Sequence, residues 1–297
     1  MINLMFLFCI VVLSQAGTLI RFADADSLAI CFWRLLIAAG LMLPLAFHNR
    51  RALLSLGRRD WLSLGLTGLF LFAHFYFFFR AVQETTVAVA TMLLSLSPVI
   101  TAIGAYIFFH ERISLHLALA CALGIGGIAA LFGENLLHLD AAHQLALRGD
   151  FWGVLSAAFM SGYILVGKHI RTRLANSVFA CAIYFQTAIY AMVAMWIWKV
   201  PFTGYSHQTW LAFVALAILP TLMGHAIFTY CLNHLNVNFM SCMTLVEPLL
   251  AALAAQYLFA EKVTPFAGLG FFLTSASVVA LYWEPLSKYV KYRGANA

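Results

Sequence analysis

Charge is what this chain lacks. Only 9% of its 297 residues are Asp, Glu, Lys or Arg, while 64% are hydrophobic. A soluble domain carries about 25% charged and about 45–50% apolar residues. So few charges cannot cover a water-facing surface, which excludes a soluble enzyme or binding module and leaves an integral, polytopic membrane protein. Long polar stretches are also scarce. The longest segment between apolar runs is roughly 134–150, so no soluble domain is inserted. Alternating ten-residue segments are absent, which argues for helices over an outer-membrane barrel. No C-x-x-C pair occurs. Cys9, Cys31, Cys121, Cys181, Cys231 and Cys242 lie in or beside apolar runs and read as packing residues, not as a disulfide framework or metal site. No Lys or Arg precedes residues 4–13, so the basic start of a signal peptide is missing despite SQAG at 14–17, and the run is expected to be the first membrane helix.

What is present is a series of apolar runs, each near the ~20 residues a span needs. Ten lie near 3–22, 28–47, 61–80, 86–108, 115–133, 151–168, 178–199, 209–230, 237–259 and 266–284. With both termini cytoplasmic, most basic residues fall on the inner side, among them Arg50, Arg51, Arg58, Arg59, Arg112, Arg171, Arg173, Lys288 and Lys291. Arg21, Arg80, Arg148, Lys199 and Lys262 fall on the outer side. The positive-inside rule therefore predicts a multi-pass protein of the inner (plasma) membrane with both termini in the cytoplasm. The net charge of +6 sits in these short loops, where it meets anionic lipid, and gives no nucleic-acid surface.

LSLSPVITAIGAYIFFHERIS at 94–114 and LVEPLLAALAAQYLFAEKVT at 245–264 are copies of each other. Pro98 and Pro248, Glu111 and Glu261, and Arg112 and Lys262 are each 150 residues apart. Gln83 matches Asn233 at the same offset. Ser14 and Arg21 match Ser161 and Lys168 at 147. The unit is five spans. Five is odd, so the second copy enters the membrane from the opposite side, giving an inverted-topology repeat of the kind secondary transporters use. The expected organisation is a first repeat over 1–133, an outer connecting loop over 134–150, a second repeat over 151–284 and a basic tail over 285–297.

These two segments, the five-plus-five layout and FWRLLIAAGLMLPLA at 32–46 resemble the ten-helix EamA-type branch of the drug/metabolite transporter superfamily. The resemblance covers nearly the whole chain. It implies an all-helical membrane fold and the export of amino acids or related small metabolites. Glu247 before Pro248 matches a common family feature. SQAG stands where the family often has a Trp-Gly pair.

A mid-helix proline removes a backbone hydrogen bond and kinks the helix, so Pro98 and Pro248 are expected as matched kinks beside a central cavity. Among the acidic residues Glu247 alone lies at mid-membrane depth, with Ser97 as its counterpart. A carboxylate there costs at least about 2.5–3.5 kcal/mol on insertion scales and should face a cavity or a partner. It either takes up a proton, contacts a cationic group of a solute, or is packed and hydrogen-bonded. His74 and His225 are candidates for gating or proton relay, or are bonded to neighbouring helices. Tyr76, Thr91, Ser161, Gln186, Ser241 and Thr244 are candidate solute contacts. Arg34 is expected to snorkel outward or pair with Asp24 or Asp26. Glu111 and Glu261, with Ser114 and Thr264, mark helix ends and caps. GYILVGKH at 162–169 fits G-x-x-x-x-G-K, but His169 follows where a phosphate loop needs Ser or Thr, so no nucleotide site is expected.

The reading is a secondary transporter or facilitator of small organic metabolites such as amino acids, a probable exporter working by alternating access. It needs a solute and the bilayer, no cofactor or metal, and a monomer suffices. The alternative is a membrane-embedded enzyme using Glu247 and a histidine.

Overall fold

A computed structural model describes residues 2–48, 56–109, 115–138, 140–171, 173–232, 235, 240 and 243–294. Among these every regular element is a helix. They are α1 (Ile2–Ser14), α2 (Ala16–Phe22), α3 (Ser27–His48), α4 (Arg58–Glu84), α5 (Val87–Leu94), α6 (Ser97–Phe109), α7 (Leu115–Leu137), α8 (Ala141–Arg171), α9 (Asn176–Trp198), α10 (His207–Leu216), the π-helical α11 (Ala217–Ala226), α12 (Ile227–Leu232), α13 (Val246–Phe259) and α14 (Pro265–Gly294). Among the described residues, nine helical stretches are long and apolar enough to cross a membrane, and α13 is a shorter apolar helix. Nine of the expected runs thus correspond to spanning helices, and the run at 237–259 is helical over Val246–Phe259 among the described residues.

The helices begin where side chains can satisfy the first free N–H groups. Thr86 accepts from Val89 N at 3.2 Å, Ser206 from Thr209 N at 3.2 Å, and Thr264 from Ala267 N at 3.1 Å ahead of Pro265. Thr264 therefore caps as expected, while Ser114 and Glu111 lie outside the described residues. Residues 134–150 differ from the expected loop. α7 runs to Leu137 and α8 starts at Ala141, so most of that segment is helix. The cause is local: Asp140 accepts from His143 N at 2.9 Å and starts α8 early, and Asn135 Nδ2 reaches Asp150 at 2.6 Å.

Packing joins early helices to late ones: α3 with α9, α4 with α8, α5 with α13, α7 with α14, and α1 with α11 and α12. The α7–α14 contact rests on small residues. A Cβ on Gly127 would stand 3.1 Å from Thr274 N and 3.3 Å from Gly270 O, so only glycine lets these backbones approach. Ser277 Oγ then bonds Ala120 O at 2.6 Å across the interface.

One end of the bundle, carrying the turns at 22–27, 84–87 and 259–265, is tied by charge. Arg21 pairs with Glu261 at 3.0 Å and donates to Val82 O at 2.7 Å, while Glu261 also accepts from Val87 N at 3.0 Å. Glu261 thus does more than end its own helix: it fixes the start of α5. Arg148 pairs with Glu84 at 2.6 Å. A cleft of about 420 Å³ opens there among Ile20, Arg21, Asp24, Asp26 and Gln83. At the opposite end Asp60 pairs with Arg173 at 2.5 Å.

Candidate functional site

Each proline stands at a break between two helical pieces. Pro98 is the second residue of α6, after a turn at 95–96, and Pro248 is the third residue of α13, after a turn at 244–245. Within the span Val87–Phe108 the irregularity at Pro98 takes the form of a two-residue turn followed by a new first turn, and Pro248 likewise stands in the first turn of α13. Proline is tolerated in a first turn because those N–H groups have no partner within the helix. The carbonyl that Pro98 cannot serve is Leu94 O, and Ser97 Oγ donates to it at 2.6 Å. Ser97 O in turn accepts from Ser161 Oγ at 2.9 Å and from Thr101 Oγ1 at 2.7 Å. At the second break Glu247 N donates to Thr244 O at 2.9 Å, and the Glu247 carboxylate takes the place of the Ser97 hydroxyl.

Of the other sequence candidates, Ser97, Ser161, His74 and Gln186 lie on α4, α6, α8 and α9. His74 is buried, with Nδ1 3.1 Å from Ser156 O and 3.0 Å from Ser156 Oγ, and Ser156 Oγ donates to His74 O at 3.1 Å. It joins α4 to α8. Gln186 packs on Gly65 and Gly68 of α4. Thr91 is buried and bonds only its own helix, to Val87 O and Ala88 O, and Tyr76 stacks against Phe72. Neither is drawn into the centre. Glu247, on α13, lies near Cys9 of α1, whose Sγ donates to Gly224 O at 3.1 Å, and His225, next to Gly224 on α11, lies near His74 and Arg34. Thr244 is half-buried one turn before Glu247, and Ser241 lies outside the described residues.

Tyr163, Tyr184, His225 and Glu247 are half-buried polar groups within the apolar helices. Four helices, α8, α9, α11 and α13, contribute them.

Arg34 corrects the sequence expectation. It neither snorkels nor pairs with Asp24 or Asp26. It is 2% exposed, its Nε donates to Thr221 Oγ1 at 2.6 Å, and its guanidinium lies 4.6 Å from the Phe75 ring centre and 5.6 Å from that of Phe79. Thr221 sits in π-helical α11, where its hydroxyl donates to Leu216 O, five residues back, at 2.8 Å. The aromatic faces and the π segment together turn Arg34 inward, against the pull of water at the end of α3. Thr221 was missed by sequence reasoning. The proline beside it, Pro220 within an apolar run, was the available signal.

A model of the EamA-like transporter family matches residues 1–133 and again 147–283. The chain belongs to the EamA-like transporter family. The two matches cover the two halves separately, as a duplicated unit would. An Archaeoglobus fulgidus protein named as an uncharacterized transporter is 25% identical over 264 residues, covering 86% of each chain. Bacillus subtilis YxxF, also named as an uncharacterized transporter, is 27% identical over 198 residues, 65% of this chain, and the match spans 61% of that relative. A solved crystal structure superposes with a TM-score of 0.64 at 19% identity, covering 94% of this chain and 96% of its own, and shares the fold. Together with the apolar helices, membership of the EamA-like family makes this a multi-pass membrane transporter, and the names point to transport rather than catalysis.

Proposed function

We propose that the chain is a secondary transporter or facilitator that exports small organic metabolites, amino acids among them, by alternating access between two inverted five-helix repeats in the plasma membrane, with both termini cytoplasmic. One observation carries the reading. Ser156 and Cys9 are 147 residues apart, and His74 and Gly224 are 150 apart. Ser156 Oγ donates to His74 O, and Cys9 Sγ donates to Gly224 O, each at 3.1 Å. The same bond thus recurs at both repeat offsets. The packing fits the same symmetry: α3 meets α9 and α7 meets α14, each with its own counterpart, α5 of the fourth span meets α13 of the ninth, and α4 with α8 mirrors α11 with α1. Two like halves around one internal space can open to either side at similar energy.

In this reading Glu247 and His225, with Gln186, face the solute path, while Ser97 and Ser161 brace the first break. The charged end with Arg21 and Glu261 is the closed outer mouth. The test is purified protein in liposomes loaded with the common amino acids and other small metabolites. The expected result is faster exit of one or more solutes, chemically unchanged by mass spectrometry. Retention of every solute, or recovery of a chemically altered one, overturns it.

A further inference from the structure

We infer that Arg34 is the specificity-determining residue of this transporter and binds a carboxylate group of the solute at the wall of the internal space. The inference rests on the transport reading and names the chemistry of its substrate.

Arg34 carries five N–H donors in a planar fork. One, on Nε, is used by Thr221. The two terminal amino groups have no hydrogen-bond partner among the described residues, and no carboxylate there lies within ion-pair distance. A cation at such depth costs at least about 2.5–3.5 kcal/mol on insertion scales, and far more without a counter-ion or water. The residues that hold it do not neutralise it. Phe75 and Phe79 place ring faces 4.6 and 5.6 Å from the guanidinium carbon and supply no carboxylate or carbonyl to its amino groups. Thr221 orients the fork from one side, its own proton committed to Leu216 O.

Tyr184 and His225, which line the solute path in the transport reading, lie near Arg34. The two amino groups match a carboxylate, which accepts two parallel N–H bonds from a guanidinium. The repeat argues for function over architecture. The seventh span, α9, is the counterpart of α3 and contains no Lys, Arg or His. The fold therefore builds that span without a cation. Thr221 sits on a π segment as well, a distortion that concentrates at functional sites. Glu247, the carboxylate at the opposite break, then has a complementary use: it accepts from the cationic or N–H part of the same solute.

The experiment measures binding apart from flux. The protein in lipid nanodiscs is thermally unfolded with acetate, benzoate or L-leucine, each against its neutral amide (acetamide, benzamide, L-leucinamide) at equal ionic strength. At least one carboxylate should stabilise the wild type more than its amide does. Arg34→Gln should erase that difference, a loss of affinity of at least about tenfold, and Arg34→Lys should keep part of it. If Arg34→Gln does not fold, Thr221→Val, which keeps the charge but releases the fork, should raise the carboxylate concentration needed by several-fold. No carboxylate–amide difference in the wild type, one that survives in Arg34→Gln, or one reached at an unchanged carboxylate concentration in Thr221→Val, overturns the assignment. Carboxylate binding without flux in liposomes would leave Arg34 in place and remove the transport reading. Flux without carboxylate preference would do the reverse.

Discussion

Ser97–Pro98 and Glu247–Pro248 stand at the same register of the two halves and do different things. At the first break the side chain repairs the backbone: Ser97 Oγ serves the Leu94 carbonyl that Pro98 leaves free, and Ser161 ties the turn to α8. At the second break a backbone N–H serves Thr244 O, and the side chain at the matched position is a half-buried carboxylate. Where the first copy has a hydroxyl bonded to its own helix, the second has a carboxylate, a group that is costly at mid-membrane depth. Where a duplicated fold differs between its copies, the difference marks function. By the same reasoning Arg34, which α9 lacks, belongs with Glu247.

Breaking both turns at once should give the largest effect. Pro98→Ala with Pro248→Ala restores continuous helices and removes the hinge between α5 and α6 and its partner before α13. Flux of the solute found in liposomes is expected to fall at least about thirtyfold, roughly 2 kcal/mol in barrier, with insertion unchanged. A double variant with wild-type flux would show that both breaks are incidental.

A smaller effect is expected at the charged end. Glu261→Gln removes the pairing with Arg21 and weakens the acceptor for Val87 N, loosening α5 above the first break only. A thermal midpoint lower by about 2–4 °C follows from a loss of ~1 kcal/mol. Arg21→Gln should match it, and the double variant should add little, because both remove one shared contact. Additive losses would mean that the two residues act separately.

The smallest effect belongs to Ser161→Ala. It deletes one interhelical bond to Ser97 O, which still accepts from Thr101. Bonds of this kind in membranes average ~0.6 kcal/mol, so the midpoint should move by about 1–2 °C and flux by less than about twofold. A large flux loss would bring the first break into the transport path on equal terms with the second.

Much of this was legible beforehand. Nine of the ten apolar runs became spanning helices, the matched prolines marked both breaks, and Thr264 capped where Ser/Thr before Pro predicts a helix start. Three features were not. Residues 134–150 read as a loop because their polarity suits water, yet Asp140 caps them into helix. The proline breaks read as mid-helix kinks because their repair depends on a side chain one residue earlier. Arg34 was misplaced for a deeper reason. A helix apolar on all faces has no hydrophobic stripe to say which side looks inward. Whether Arg34 points to water or to Phe75, Phe79 and Thr221 is decided by helices far away in sequence. Of the candidate site residues, Glu247 and His225 are half-buried, His74 is a bonded link between helices, and Thr91 bonds its own turn.

The claim that the first break is architecture and the second is machinery is tested most directly by Ser97→Ala and Glu247→Gln, prepared side by side and measured for both flux and thermal midpoint. Ser97→Ala should lower the midpoint by about 2–4 °C, the cost of one unserved carbonyl, and leave flux within about twofold. Glu247→Gln keeps the shape of the side chain, so its midpoint should stay within about 2 °C while flux falls at least about tenfold, roughly 1.4 kcal/mol. The opposite pattern, normal flux in Glu247→Gln and lost flux in Ser97→Ala, would contradict the account.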